Sequence, residues 1–201
     1  IKGSLPFLNF FDGFRTSHEV NTLDDIDMSK IVDLLDKTKV KEFRNKMLTG
    51  DRKIQKGMAE NEDIYFQSME ARNLAYDEIP HIVNDYMQKI NDLTNNNFQP
   101  FNYYGSKTAK NVIIAMGSVC DTIRLVVDDM NKNNQEVGMI EVHLYRPFSK
   151  DYLINVIPKT VQNIAVLDRT KEAGSIYEPL CLDVMASLKD TNINIVGGRY
   201  G

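Results

Sequence analysis

Tryptophan is missing from the 201 residues, cysteine occurs only twice and histidine three times. Two cysteines, Cys120 and Cys181, are too few for a disulfide framework, and they point to a reduced, cytoplasmic setting. They also cannot supply the four thiolates of an iron–sulfur cluster. His18, His81 and His143 are scattered without the spacing of a metal-ligand set, so no bound metal is expected. No apolar run approaches the ~20 residues of a membrane span, and no secretory leader is expected before the first apolar run. The net charge is -4 and no basic run occurs, which excludes a phosphate-neutralising nucleic-acid surface. Neither G-x-G-x-x-G nor a Walker sequence is present, so the simplest dinucleotide and nucleotide cradles are excluded as well. Both ends read as cut: the chain opens at Ile1 without Met and stops at "VGGRYG", so a piece of a longer polypeptide is expected.

What is present suffices for a real core. Apolar residues make up 42% and charged residues 26%, ordinary for a globular chain of one large or two small domains. The first apolar run, "LPFLNFF" from Leu5 to Phe11, reads as a buried strand. It breaks into the polar "DGFRTSHE". "DMSKIVDLL" reads as a helix capped by Asp27, followed by helices at "KVKEFRNKML" and "DIYFQSMEARN", with loop over residues 49–62. In "PHIVNDYMQKINDL" the residues Ile82, Val83, Tyr86, Met87, Ile90 and Leu93 form one helical stripe, with Pro80 suited to its first turn. "TNNNFQP" stops that helix, and a domain boundary is placed near residues 96–110, with "FNYYGSKTAK" as a connecting strap.

From Asn111 the pattern alternates regularly. Strands at "NVIIAMGS", "VGMIEVHLY", "QNIAVLD" and "NINIVGG" are separated by helices at "CDTIRLVVDDMNKNN", "SKDYLINVIP" and "YEPLCLDVMASLKD". Four strands alternating with helices predict an α/β fold, a parallel sheet flanked by helices, preceded by a mostly helical segment with one strand.

Ligands of such sheets gather at the carboxyl ends of strands. There "MGSVCDT" offers a Gly117 turn, Ser118 as a helix cap and free N–H groups for an anion. Cys120, in the first turn of that helix, reads as buried and inert for want of a neighbouring base. "LDRTKEAGS" brings Asp168, Arg169, Lys171 and Glu172 to the end of the next strand, as a solvated turn, an interdomain salt bridge or an anion site. Arg146, in "HLYRPF", is expected on the same rim.

"LPFLNFFDGFRTSHE", "ENEDIYFQ", "AMGSVCDTI", "LYRPFS", "AVLDRTKEAGS" and "GGRYG" occur in this order in pyruvate:ferredoxin (flavodoxin) oxidoreductases, and the chain resembles that family from end to end. The resemblance implies that residues 1–97 are the closing part of a pyrimidine-binding-like first domain, and that 98–201 form a second domain similar to the C-terminal domain of transketolase. It also implies a parent enzyme, a homodimer, that uses thiamine diphosphate, Mg and [4Fe-4S] clusters to oxidise pyruvate with coenzyme A and pass electrons to ferredoxin or flavodoxin. The family's thiamine-activating Glu and pyruvate-binding Thr and Arg would lie upstream of Ile1, and its diphosphate-binding domain and cluster cysteines downstream of Gly201. No catalytic or cofactor-binding residue is therefore expected within this stretch. Asp12, Arg15, Thr16, Ser17, His18 and Glu19 become candidates for interdomain or intersubunit contacts beside the active-site wall. One departure stands out: the family's "TKEPG" has Pro where this chain has Ala173. The competing reading is a stand-alone α/β module that holds a nucleotide or coenzyme A on Ser118, Arg146 and Arg169.

Overall fold

The structure is a computed structural model that describes residues 1–20, 22, 25–52 and 59–201; the Arg15 side chain and residues 53–58 of the expected 49–62 loop lie outside the described set. Contacts divide the chain into two units, one of Ile1–Asn9 and Leu23–Asn97, the other of Phe10–Thr22 and Phe98–Gly201.

The first unit is helical. It holds α2 (Met28–Asp33), α3 (Lys37–Asn45), α4 (Glu62–Ala71) and α5 (Asn73–Thr94), while α1 (Arg15–His18) belongs to the second unit. Asp27 caps α2 as its sequence suggests, accepting from the Ser29 N–H at 3.0 Å. Asn95 ends α5 in the left-handed conformation, φ 53°, that stops helices. Two expectations need correction here. Helix α5 begins at Asn73, so Pro80 lies inside it rather than in its first turn. The strand expected over Leu5–Phe11 does not form: the segment is irregular, and Leu8 is 87% exposed. A strand needs a neighbour to take its N–H and C=O groups, and among the described residues of this unit none is offered. The chain start is instead tied to α5, where Lys2 Nζ lies 3.3 Å from Asp85.

The second unit carries a five-stranded sheet of order β1-β3-β2-β4-β5. Strands β2 (Asn111–Ala115), β3 (Val137–Val142), β4 (Asn163–Asp168) and β5 (Asn194–Arg199) run parallel, as the alternating sequence predicts. The expected strap supplies a fifth strand: β1 (Phe101–Gly105) pairs antiparallel with β3, Phe101 opposite Val142. Each parallel step is made by one helix, α6 (Val119–Lys132), α7 (Lys150–Val156) or α8 (Pro179–Ser187).

Alternation along the strands splits the core in two. One face buries Val112, Ile114, Ile140, Ile164 and Val166 under Leu153 of α7 and Leu180 and Val184 of α8. The other buries Val137 and Met139 under Cys120, Ile123 and Val127 of α6. The helix between β2 and β3 thus covers one face, and the later two cover the other. The chain reverses direction across the sheet where β2 meets β4, and in such folds the crevice at that switch point is where ligands bind.

Candidate functional site

At the switch point the chain meets its own carboxylate. Strand β2 runs out into Gly117, whose φ of +79° suits glycine, and α6 starts at once. Ser118 stands at the N-cap position yet makes no side-chain cap bond. Its backbone N–H donates to Asp12 Oδ2 at 2.7 Å, and Arg169 Nη1, just past β4, reaches Asp12 Oδ1 at 2.7 Å. A Cβ on Gly117 would stand 3.0 Å from Asp12 Oδ2, a tight contact that the carboxylate would have to relieve by shifting a few tenths of an ångström. Hydrogen bonding from Ser118, helped by Arg169, holds the Asp12 carboxyl below its ordinary range despite some desolvation. The α6 N-terminus and the Arg169 guanidinium therefore already face an anion supplied by the chain.

The rest of the rim is paired off in the same way. Arg146 bridges to Asp183 at 2.7 Å and stacks over the Tyr145 ring, 4.1 Å from its centroid. Lys171 lies 3.7 Å from Glu178, which also receives Arg199 at 2.8 Å and the Glu172 N–H at 2.7 Å. Asp168 leaves the rim altogether: it is buried and accepts the Leu180 and Cys181 N–H groups at 3.1 and 3.2 Å, at the start of α8. Burial pushes its carboxyl up, against the pull of those two N–H groups. Of the residues singled out from the sequence, Asp12, Ser118 and Arg169 come together; Arg146 and Lys171 each have a separate partner. Thr16 is exposed, and His18 is exposed with its ring Nδ1 2.6 Å from the Phe14 carbonyl. Glu19 is exposed too, and the Arg15 side chain is outside the described set. An anionic ligand on Ser118, Arg146 and Arg169 would have to displace Asp12 and Asp183, which counts against the stand-alone module.

Glu178 is the residue the sequence concealed. It is 4% exposed and binds the 169–175 loop to the "GGRYG" end of β5. The Glu172 N–H, then Arg199 and Lys171, hold its carboxyl low. Its only signal is its place directly before Pro179, the first residue of α8. The adjoining turn accounts for Ala173. Ser175 N donates to Glu172 O at 3.3 Å and Gly174 has φ +82°, the type II pattern that welcomes Pro at the position of Ala173. A second cluster, at the end of β3, joins Arg124 to Glu141, with His143 Nε2 3.7 Å from the same carboxylate. Burial lowers the His143 pKa against the pull of Glu141.

Both thiols are buried, on opposite faces of the sheet. Burial, with Glu141 beside it, pushes Cys120 up to about 12, and burial with Asp168 pushes Cys181 up to about 11. Against a free thiol near 8.5, Cys120 at pH 8 has on the order of a thousandfold less thiolate. Iodoacetamide labelling read by mass spectrometry is expected to leave both cysteines unmodified in the folded chain and to modify both in urea. Rapid labelling of either without urea would contradict this burial. Among the described residues no group of three or more His, Cys, Asp or Glu is placed to hold a metal ion, and no helix is long and apolar enough to cross a membrane.

Two family profiles match the chain. Residues 1–88 match "Pyruvate flavodoxin/ferredoxin oxidoreductase, thiamine diP-bdg", and residues 109–201 match "Pyruvate:ferredoxin oxidoreductase core domain II". A pyruvate-flavodoxin oxidoreductase of Enterobacter agglomerans is 50% identical over 202 residues, covering 100% of this chain and 17% of that protein. A pyruvate:ferredoxin oxidoreductase of Moorella thermoacetica is 44% identical over 203 residues, with the same coverage. A pyruvate dehydrogenase [NADP(+)] of Cryptosporidium parvum is 45% identical over 204 residues, 98% of this chain and 10% of that protein. The chain thus spans 17% or less of the length of these relatives. A solved 2-oxoglutarate:ferredoxin oxidoreductase from Magnetococcus marinus aligns with 70% of this chain and 21% of its own, at 12% identity and a TM-score of 0.41, a likeness too slight to bear on the site. With two profiles of one family meeting it in order and identity of 50% running over its whole length, the chain belongs to the pyruvate:ferredoxin (flavodoxin) oxidoreductases.

Proposed function

We propose that this chain is an organising segment of an enzyme that oxidises pyruvate with coenzyme A to acetyl-CoA and CO2, delivering two electrons to ferredoxin or flavodoxin in the cytoplasm. The observation that carries the reading is identity at the level of 50% across both matched regions, in order. Residues 1–97 would close the first domain and 98–201 would form the second, in a homodimer whose other domains pack around them.

The thiamine diphosphate, Mg and [4Fe-4S] clusters of such an enzyme do not fit the described residues of this chain. Among the described residues of the helical unit only Ile79, Pro80 and Asn91 are buried, so none of those residues encloses a heteroaromatic ring or presents a buried carboxylate to one. The two cysteines sit on opposite faces of a sheet, and a cluster takes four converging thiolates. No reaction step is therefore assigned to these residues. Their work is to shape and neutralise the edge of the sheet: Asp12, Asp183 and Glu178 each meet a guanidinium. Choice of electron acceptor would likewise rest with other parts of the enzyme, since relatives 50%, 44% and 45% identical here are named for flavodoxin, ferredoxin and NADP(+).

The test is anaerobic assay of the whole enzyme for pyruvate- and coenzyme A-dependent reduction of ferredoxin or flavodoxin. Reduction with pyruvate, and little with 2-oxoglutarate, is expected; failure with pyruvate would overturn the reading. The 201-residue chain by itself is expected to show no turnover and no thiamine diphosphate binding by calorimetry, and micromolar binding would move the cofactor site into it.

A further inference from the structure

We propose that the α6 face of the sheet, where it extends over β4 and β5, is the docking surface for a helix formed by the polypeptide that follows β5 in the whole enzyme. One row of side chains crosses that face strand by strand: Met139 on β3, Ile113 on β2, Ala165 on β4 and Val196 on β5. Burial fades along the row. Met139 is fully buried, Ile113 and Ala165 are partly buried, and Val196 is 50% exposed. The opposite face shows no such gradient. Ile140, Ile114 and Val166 are all fully buried there. At β5 a Cβ on Gly197 would stand 2.8 Å from Tyr177 Cδ1 and 3.1 Å from Cys181 Sγ, so that side is packed to the edge. The difference lies in the helices. Helices α7 and α8 cover one face, whereas among the described residues α6 alone covers the other, and it packs on β3 and β1.

A parallel sheet is ordinarily closed on both faces. The α6 flank toward β1 is already satisfied: Asp128 accepts from the Tyr104 hydroxyl at 2.6 Å, and the Arg124 guanidinium lies 5.2 Å from that ring's centroid. The opposite flank carries Val119 and Val126, seven residues apart and so on one side of the helix, with Val126 50% exposed. Val126 and Val196 thus border an apolar trough floored by β4 and β5. Two strand spacings make it about 10 Å wide, the diameter of one helix. The direction of the chain selects the occupant. Steps toward the β5 edge, by α7 and α8, run on one face, and the step toward β1, by α6, runs on the other, as right-handed crossovers require. A chain that leaves β5 and turns back over the sheet travels in the direction of the α6 step, and therefore on the α6 face. Consecutive elements are also neighbours in space more often than not. The docking helix presupposes the reading of this chain as one segment of a longer enzyme, as it is in relatives of which it covers 17%.

Photocross-linking within the whole enzyme tests this. With the photoreactive residue p-benzoylphenylalanine placed at Val196, irradiation and peptide mass spectrometry are expected to join that position to residues within about 30 positions after β5, enough for a short loop and a helix of ordinary length. The same probe at Val126 is expected to reach the same stretch. On a denaturing gel the product should keep the mass of one polypeptide. A product of twice that mass would mean that the partner subunit covers the face, and would overturn the proposal. So would cross-links to residues 1–97, to a later domain, or to no peptide at all. Should the Val196 variant fail to accumulate, the Val126 variant decides by the same criteria. Pyruvate-dependent reduction of ferredoxin or flavodoxin by the unmodified enzyme is measured alongside. Turnover with the cross-link elsewhere removes the docking helix and leaves the reading of function standing; the cross-link in place without turnover does the reverse.

Discussion

Phe101→Ala is expected to destabilise the α/β unit by about 3–5 kcal/mol, the usual cost of removing a fully buried aromatic ring. Phe101 opens β1, is 1% exposed, and meets the Phe148 ring edge-on at 5.3 Å between centroids. That contact is worth roughly 0.5–1.5 kcal/mol beyond the area buried. The residue also stands where the backbone crosses: the Pro100 carbonyl beside it accepts both the His143 and Leu144 N–H groups, at 3.0 and 3.1 Å, as β3 ends. A cavity here loosens both the antiparallel edge and the loop that carries Arg146. Urea unfolding of the 201-residue chain, followed by far-UV circular dichroism, gives the measurement. Phe101→Leu should recover most of the loss, since it restores volume. Phe11→Ala, on a ring that is 73% exposed, should stay within about 0.5 kcal/mol of the parent. Equal losses from Phe101→Ala and Phe11→Ala would mean that the packing is described wrongly.

That contrast between two phenylalanines also marks where the sequence can be read. From Asn111 onward, continuous apolar runs alternate with amphipathic helices, and a strand buried on both faces must look like "VIIA" whatever its neighbours are. The parallel sheet was therefore legible. Strand β1 was not, because "FNYYG" carries aromatics that suit a strap as well as an edge strand, and its pairing partner lies thirty or more residues later. "LPFLNFF" misleads for the opposite reason. It has the composition of a strand, but composition supplies no partner, and among the described residues of the helical unit nothing pairs with it. The same unit exposes Met28, Val32, Phe43 and Phe66 on its helices, so its apolar stripes predict helices correctly while leaving unstated what they pack against.

The candidate site was half legible. Glycine followed by Ser and a helix marks the end of β2, and a charged run marks the end of β4. That their charges are spent internally was not readable, because the partners are far apart in the chain: Asp12 for Ser118 and Arg169, Asp183 for Arg146. Glu178 was missed because a charged residue before Pro looks like a solvated cap. The residue that the local pattern nominates to cap α8 sends its carboxylate to the preceding loop, and a residue from the end of the strand takes its place.

That substitute is Asp168, and Asp168→Ala is expected to cost about 2–3 kcal/mol, from the loss of a helix cap together with two N–H groups left buried without an acceptor. Glu178, the N-cap residue by position, makes no side-chain cap bond to α8, so nothing nearby replaces the lost oxygens. Leu180 and Cys181, whose N–H groups are stranded, are themselves buried, which denies them water. The pH dependence carries its own signature. Burial raises the Asp168 carboxyl above its ordinary 3.8, with Glu178 and Asp183 adding to the rise. Between 3.8 and that raised value the folded chain keeps a proton which the unfolded chain has lost, so the stability contributed by this group falls as pH climbs through the window. Asp168→Ala lacks that slope. Its deficit should therefore be largest near pH 4 and smaller at pH 7.5, measured by urea unfolding at each pH, whereas loss of a carboxylate with a depressed pKa, such as Asp12, should show the reverse trend. A deficit for Asp168→Ala that grows from pH 4 to pH 7.5 would mean that the carboxylate is stabilised in its charged form and that the two N–H groups outweigh its burial.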